Sequence, residues 1–142
     1  MTIEVRRARP DDLAAVCAID PRAADTPERA PFIERAITVG ECTLATDAGA
    51  VVGYAVLDRS FFEQPFVSLL IVAESQRRRG VGAELMRHIE STSPEDKLFT
   101  STNESNAPMR ALCDKLGFVR SGSIENLDDG DPEIVYFKRV TR

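Results

Sequence analysis

The chain has 142 residues, and it contains no tryptophan, two tyrosines, one histidine and three cysteines. The lone imidazole, His88, excludes mechanisms that need two, most catalytic zinc sites among them. Cys17, Cys42 and Cys113 are odd in number and far apart. They therefore build neither a disulfide framework nor a paired zinc-ligand spacing, they read as free thiols, and no metal is expected. No apolar run approaches the roughly 20 residues a bilayer span requires. The first ten residues carry Glu4, Arg6, Arg7 and Arg9 instead of an apolar signal core, so a cytoplasmic chain without a membrane partner is expected. Positive charge is short as well: 18 Lys and Arg face 23 Asp and Glu, and a net charge of −5 argues against a nucleic-acid footprint. The composition, 43% apolar and 29% charged, is that of an ordinary globular chain. At this length it buries roughly two-thirds of its unfolded surface. With no linker, repeat or low-complexity segment, one domain over residues 1–142 is expected.

Strands and helices alternate along the chain. Thr2 to Arg7 alternates Ile3 and Val5 with polar neighbours, and Pro10-Asp11-Asp12 opens a helix carrying Leu13, Val16 and Cys17 at helical spacing. Glu28 to Val39 predicts a second helix with Phe32, Ile33, Ala36 and Ile37 on one face. Cys42 to Thr46 and Val51 to Leu57 predict an antiparallel hairpin around Asp47-Ala48-Gly49-Ala50, and Phe61 to Pro65 reads as a connecting loop. Phe66 to Val72 is apolar except for Ser68, the pattern of a central strand covered on both faces. Gly80 to Glu90 predicts a helix, broken by Ser91 to Glu95, and Lys97 to Thr102 a further strand. Asn106-Ala107-Pro108 opens a helix with the stripe Met109, Leu112, Cys113 and Leu116, stopped by Gly117. Val119 to Ile124 and Glu133 to Val140 close the chain as a strand pair around Asn126 to Pro132. A strand-helix-strand crossover at the centre and antiparallel ends imply a mixed, mostly antiparallel α/β sheet flanked by helices.

The most informative stretch is Gln76-Arg77-Arg78-Arg79-Gly80-Val81-Gly82-Ala83, between the apolar strand and its helix. The glycines let backbone amides approach a ligand, and the unpaired N–H groups of a first helical turn suit an anion. Arginines at a helix N-terminus oppose the macrodipole, a conflict that an anionic ligand resolves. A solvated arginine run with glycines serving only the turn is the plainer alternative. No Gly-Lys-Ser or Gly-Lys-Thr follows, so this is not a Walker loop. The third glycine of a dinucleotide fingerprint is missing, since Leu85 holds its place.

Arg77-x-x-Gly80-x-Gly82 after Leu70-Ile71-Val72 resembles the acyl-CoA pyrophosphate loop of the GNAT superfamily of N-acetyltransferases. Asn106-Ala107-Pro108-Met109-Arg110-Ala111-Leu112-Cys113-Asp114-Lys115-Leu116-Gly117-Phe118 is similar to that family's later signature. The resemblance covers most of the chain and is most specific from Phe66 to Phe118. It implies an acetyl-CoA-dependent transfer to a primary amine in a ternary complex, with the cofactor between strands that splay apart after Val72 and near Thr102. Ile71 and Val72 would bond the pantetheine through their main chain. Amides from Arg77 to Ala83, including Gly80, Val81 and Gly82, would hold the pyrophosphate, Arg77, Arg78 and Arg79 would meet the phosphates, and Asn106 would contact the pantetheine arm. Asn106 is equally a good helix N-cap by its own chemistry.

The chain departs from the family at Cys113, where a tyrosine commonly protonates the departing thiolate. Cys is short and titrates near 8.5, against about 10 for a phenol, so Cys113 is a poor substitute. A thiolate can leave unaided near neutral pH, or its proton can come from water, Tyr54 or Tyr136, with Tyr136 ranked first. The proton of the attacking ammonium needs a base, and Glu63, Glu133 or water can serve. The oxyanion would meet a main-chain N–H at Ile71 or Val72. Asp128, Asp129, Asp131 and Glu133 crowd one turn, either as a polar hairpin or as a lip attracting a cationic amine. A non-catalytic acyl-CoA sensor is the rival reading, and a nucleotide-binding domain ranks below it. The last strand pair offers an edge for a homodimer.

Overall fold

Ile3 and Val5 alternate with charged neighbours along β1 (Ile3–Arg7) in the computed structural model of the protein, which describes residues 2–140. A single 3-10 turn, Pro10–Asp12, leads into α1 (Leu13–Ile19). The short α2 (Pro21–Asp25) follows, with the Asp20 carboxylate accepting from the Arg22 amide as its N-cap. Next come α3 (Arg29–Thr38), β2 (Cys42–Asp47) and β3 (Ala50–Phe61). The β2–β3 turn places Ala48 and Gly49 at φ 50 and 85, the left-handed pair that matches the twist of a tight hairpin. β4 (Gln64–Val72), α4 (Val81–Thr92), β5 (Lys97–Asn103), α5 (Ala107–Lys115), β6 (Val119–Ile124) and β7 (Glu133–Arg139) complete the chain.

The strands order as β1-β2-β3-β4-β5-β7-β6, a seven-stranded mixed sheet with β4 in the central place. β4 and β5 run parallel, Phe66 beside Phe99 and Val67 beside Thr100, while the other registers described are antiparallel. Three expectations need correction. Phe61 to Pro65 is no open loop: β3 runs to Phe61, β4 starts at Gln64, and Phe62 and Glu63 turn at φ 50 and 61. The helix expected to break at Ser91 continues to Thr92. Phe66 to Val72, expected to be covered on both faces, is half-buried apart from the buried Val67.

The chain forms two compact units. Met1–Leu57 with Leu69–Ile89 make the first, and Asp58–Ser68 with Glu90–Arg142 the second. In the first, Val16 of α1 and Ile33, Ala36 and Ile37 of α3 pack on Leu44, Tyr54 and Val56, with Leu69 and Ile71 joining at the margin. Each fully buried Leu or Ile here contributes about 1.5–3 kcal/mol of transfer free energy. Gly53 on β3 is required by packing: a Cβ there would stand 2.8 Å from Val81 Cγ1, 3.1 Å from the Ile71 carbonyl oxygen and 3.2 Å from Leu85 Cδ1. Its bare backbone lets the first turns of α4 seat directly on the strand.

In the second unit β5 alternates strictly. Leu98, Thr100 and Thr102 are buried, while Phe99, Ser101 and Asn103 face the other way and are half-buried. Ile134 and Tyr136 of β7 lie beside Thr102 and Thr100 on the buried face. α5 lies on that face: Lys138, on the same side of β7, donates to the Leu116 carbonyl at the end of the helix and to Glu90 Oε1. α5 begins at the Asn106 cap, whose side chain accepts from the Met109 amide at 3.2 Å. It ends at Gly117 (φ 85), where Phe118 N–H bonds the Cys113 carbonyl and Gly117 N–H that of Asp114.

Candidate functional site

Within the first unit β4 runs into a 3-10 turn, Glu74–Gln76, and then into the arginine stretch ahead of α4. Arg78 and Gly80 take left-handed backbone angles, φ 68 and 83. Glycine adopts this freely, whereas an arginine does so against a steric cost of order 1 kcal/mol. Glu84 N–H closes the first α4 turn on the Gly80 carbonyl at 3.0 Å. The amides of Val81, Gly82 and Ala83 precede that bond and have no helical carbonyl to reach. Arg77, Arg78 and Arg79 are exposed, and Arg79 Nη1 donates to Gln76 Oε1 at 2.7 Å. No ion pair among the described residues involves any of the three. The stretch thus combines unpaired amides, a dipole end and uncompensated cations, which fits a multiply charged anion such as a pyrophosphate. Ile71 and Val72 are half-buried just before it.

The remaining predicted residues lie in the second unit. Asn106 is exposed; with its carbonyl oxygen committed to the helix cap, the amide nitrogen is left to donate elsewhere. Cys113, two turns on, is 1% exposed, and burial pushes its thiol up to about 12. Tyr136 is 4% exposed beneath the same helix. The pKa of the Arg110 guanidinium is raised, first through the Tyr136 hydroxyl. Arg110 Nη1 also donates to the Glu104 carbonyl, and its shielded Nε lacks a partner. Glu133 lies on the opposite face of β7 from Tyr136, half-buried, and accepts from Ser101 Oγ at 2.7 Å. Glu63 is the exposed tip residue of the β3–β4 hairpin, its carbonyl held by Arg59. The structure therefore gathers Asn106, Cys113 and Tyr136 around α5 and leaves Glu63 at a hairpin tip.

The acidic turn is largely committed internally. Asp128 accepts from Asn103 Nδ2, and Asp131 accepts from both the amide and the hydroxyl of Ser105. Among the described residues no group of three His, Cys, Asp or Glu side chains is placed to hold a metal ion. The sequence reading missed Asp58, which accepts from Ser68 Oγ at 2.7 Å and from Ser60. That contact depends on strand register, which no local motif carries. It also missed a sealed cluster: Tyr54 Oη donates to Asp20 Oδ2 at 2.6 Å, and Arg29 Nη1 donates to the same oxygen at 2.7 Å. Burial, reinforced by Asp20, drives the Tyr54 pKa well above the usual phenol range, and its hydroxyl proton is committed to Asp20.

Residues 11–118 match the family described as Acetyltransferase (GNAT) family. The fold is similar to that of a GNAT-family acetyltransferase from Bacillus cereus ATCC 10987, with 37% identity over 100% of both chains and a TM-score of 0.94. It also resembles yncA of Salmonella typhimurium, solved with its cofactor acetyl-CoA, at a TM-score of 0.78 and 18% identity over 100% of this chain and 96% of that one. In sequence the chain is 25% identical over 125 residues to the 5-NmdU N-acetyltransferase of Pseudomonas phage PaMx11, covering 84% of this chain and 89% of that protein.

Proposed function

From membership of the acetyltransferase (GNAT) family, to which this chain belongs, we propose that it is an acetyl-CoA-dependent N-acetyltransferase, one functional domain over residues 1–142, acting on a primary amine. The observation that carries this reading is the Arg77–Ala83 stretch, where unpaired amides and uncompensated arginines meet at the start of α4. Bound acetyl-CoA would supply the activated acetyl thioester. Within the first unit, Arg77, Arg78 and Arg79 with the Gly80 to Ala83 amides would hold the pyrophosphate, and the main chain of Ile71 and Val72 would align the pantetheine. The thioester would offer its acyl carbon to a neutral amine: a C–N bond would form as the C–S bond breaks, the sulfur would leave as a thiolate, and the nitrogen would lose its second proton to solvent. Glu133 takes the proton of the ammonium, directly or through water, with Glu63 or solvent as substitutes. Tyr136 would return a proton to the thiolate.

A non-catalytic acyl-CoA sensor draws on one observation, the buried Cys113 in the place of the family tyrosine. Two measurements separate the readings. Calorimetric titration with acetyl-CoA gives saturable binding in the wild type and none in Gly82→Trp, whose bulk blocks the backbone approach. Thioester turnover with a panel of amines then shows amine-dependent CoA release for the enzyme, and binding without turnover for the sensor. Tyr136→Phe lowers kcat about 10²-fold or more for the enzyme and leaves acetyl-CoA binding intact. A homodimer along β6, exposed over its whole length, belongs to the same reading and is checked by light scattering.

A further inference from the structure

Across the second unit, four phenylalanines form a connected row on one side of the sheet. Phe66 of β4 lies beside Phe99 of β5, and Phe99 beside Phe137 of β7. The Phe61 ring stacks on Phe66 at 5.2 Å between centroids, and those of Phe99 and Phe137 are 5.2 Å apart. All four are half-buried, whereas Leu98, Thr100 and Tyr136 on the opposite face are at most 4% exposed. At the hairpin tip Phe62, 82% exposed, stands edge-on to Phe61 at 4.9 Å. Aromatic surface left open in this way is a mark of recognition more than of packing.

A second row runs beside the first. Ser68 and Ser101 lie two residues beyond Phe66 and Phe99, so they share that face. Each gives its hydroxyl proton to a carboxylate, Ser68 to Asp58 and Ser101 to Glu133, both at 2.7 Å. A serine whose proton is committed presents only lone pairs outward. The row is therefore made of acceptors: two hydroxyl oxygens and the uncommitted oxygen of Glu133. A primary ammonium, with three donors and no acceptor, is its complement; an alcohol or amide is a poorer match. Past the other edge of the aromatic row lie Lys97 and Arg139, paired across β5 and β7, with Arg139 over the Phe137 ring at 5.7 Å. Arg139 is neutralised by Asp96 at 2.7 Å, so Lys97 is the cation that disfavours an ammonium at that end.

We infer that this face is the acceptor subsite and that its substrate is a primary ammonium on a short tether from an aromatic ring, the ring on the phenylalanine row and the nitrogen among Ser68, Ser101 and Glu133. The inference rests on the proposed function and narrows its acceptor to one chemical class. The full-length protein is assayed with acetyl-CoA and 2-phenylethylamine, hexylamine or 2-phenylethanol, and binding of each is measured by calorimetry. 2-Phenylethylamine should exceed hexylamine in kcat/KM by about tenfold, the range an aromatic contact supplies, and 2-phenylethanol should neither bind nor react. Phe99→Leu should erase that ratio while the acetyl-CoA Kd stays unchanged. Glu133→Gln should weaken 2-phenylethylamine binding about tenfold or more, as loss of a charged hydrogen bond does. Equal or better use of hexylamine, or a ratio that survives Phe99→Leu, overturns the inference and leaves the acetyltransferase standing. Acetyl-CoA binding with no amine bound or acetylated also overturns it, and failure to bind acetyl-CoA overturns both.

Discussion

Tyr54 and Ser68 each project from a strand and each give a hydroxyl proton to an aspartate, Asp20 at 2.6 Å and Asp58 at 2.7 Å. Around Tyr54 the bond is sealed. Tyr54 is 0% and Asp20 2% exposed, the Arg29 guanidinium neutralises the carboxylate, and the Arg22 amide takes its other oxygen. Each polar atom there is answered by protein, so the cluster ties α2 and α3 to the core of the first unit and has nothing to offer a ligand. Around Ser68 the bond is half-open, and no ion pair among the described residues claims Asp58. One bond type thus serves two ends. Enclosed, it fixes structure; at a surface, it aims lone pairs outward.

Removing the carboxylate from the sealed cluster should have the largest effect. Asp20→Ala strands the Arg29 charge and the Tyr54 hydroxyl in the core and should cost about 3–5 kcal/mol, read as a fall in the urea midpoint. Gly53→Val should follow, at about 1–3 kcal/mol from overpacking against Val81 and Leu85. Because it pushes on the first turn of α4, acetyl-CoA affinity should fall with stability. Tyr54→Phe keeps the ring and loses one bond, about 1 kcal/mol, without effect on turnover. On the open side the pattern should invert: Ser68→Ala should cost under about 1 kcal/mol of stability, yet lower kcat/KM for amines severalfold. A surface carboxylate supplies an effect of similar size that depends on pH. Asp12 is held at about 2, first by the two-pronged Arg6 hydrogen bond and also by the Arg9 amide. Its folded pKa is depressed, so this stabilisation is present above the unfolded value near 4 and is lost as pH falls towards about 2. Solvent screening limits it to about 1 kcal/mol. Urea unfolding at pH 6 and pH 3 should show a larger loss in the wild type than in Arg6→Ala.

Most of the element order was legible because local chemistry spells it. Asn106 with Pro108 starts α5, Gly117 stops it, and the Cys113 stripe marks its inner face. The arginine stretch was legible for the same reason, since a strand, glycines and a helix start are contiguous. The β3–β4 hairpin was not, because Phe62 and Glu63 are poor candidates for left-handed angles. They hold them with help from the Phe61 ring and from Arg59 bonding the Glu63 carbonyl. α2 had a readable signal, Asp20 followed by Pro21, the pattern of an N-cap and a first helical residue. Gly53 inside a strand was likewise a sign of close backbone approach. The serine–carboxylate pairs were beyond reach: Ser101 and Glu133 are 32 positions apart and meet only through the β5–β7 register.

The arginines at the start of α4 have a kinetic consequence. The protein carries a net charge of −5, so an anionic ligand diffusing towards it meets a repulsive field everywhere except where a local reversal of sign draws it in. Arg77, Arg78 and Arg79 form such a reversal on an exposed loop. Their charge acts over about 8–10 Å at physiological salt, far enough to capture a polyanion before contact and turn it phosphates first. Added salt should therefore slow arrival steeply and change departure little, so the same residues that hold the ligand also set the direction from which it comes.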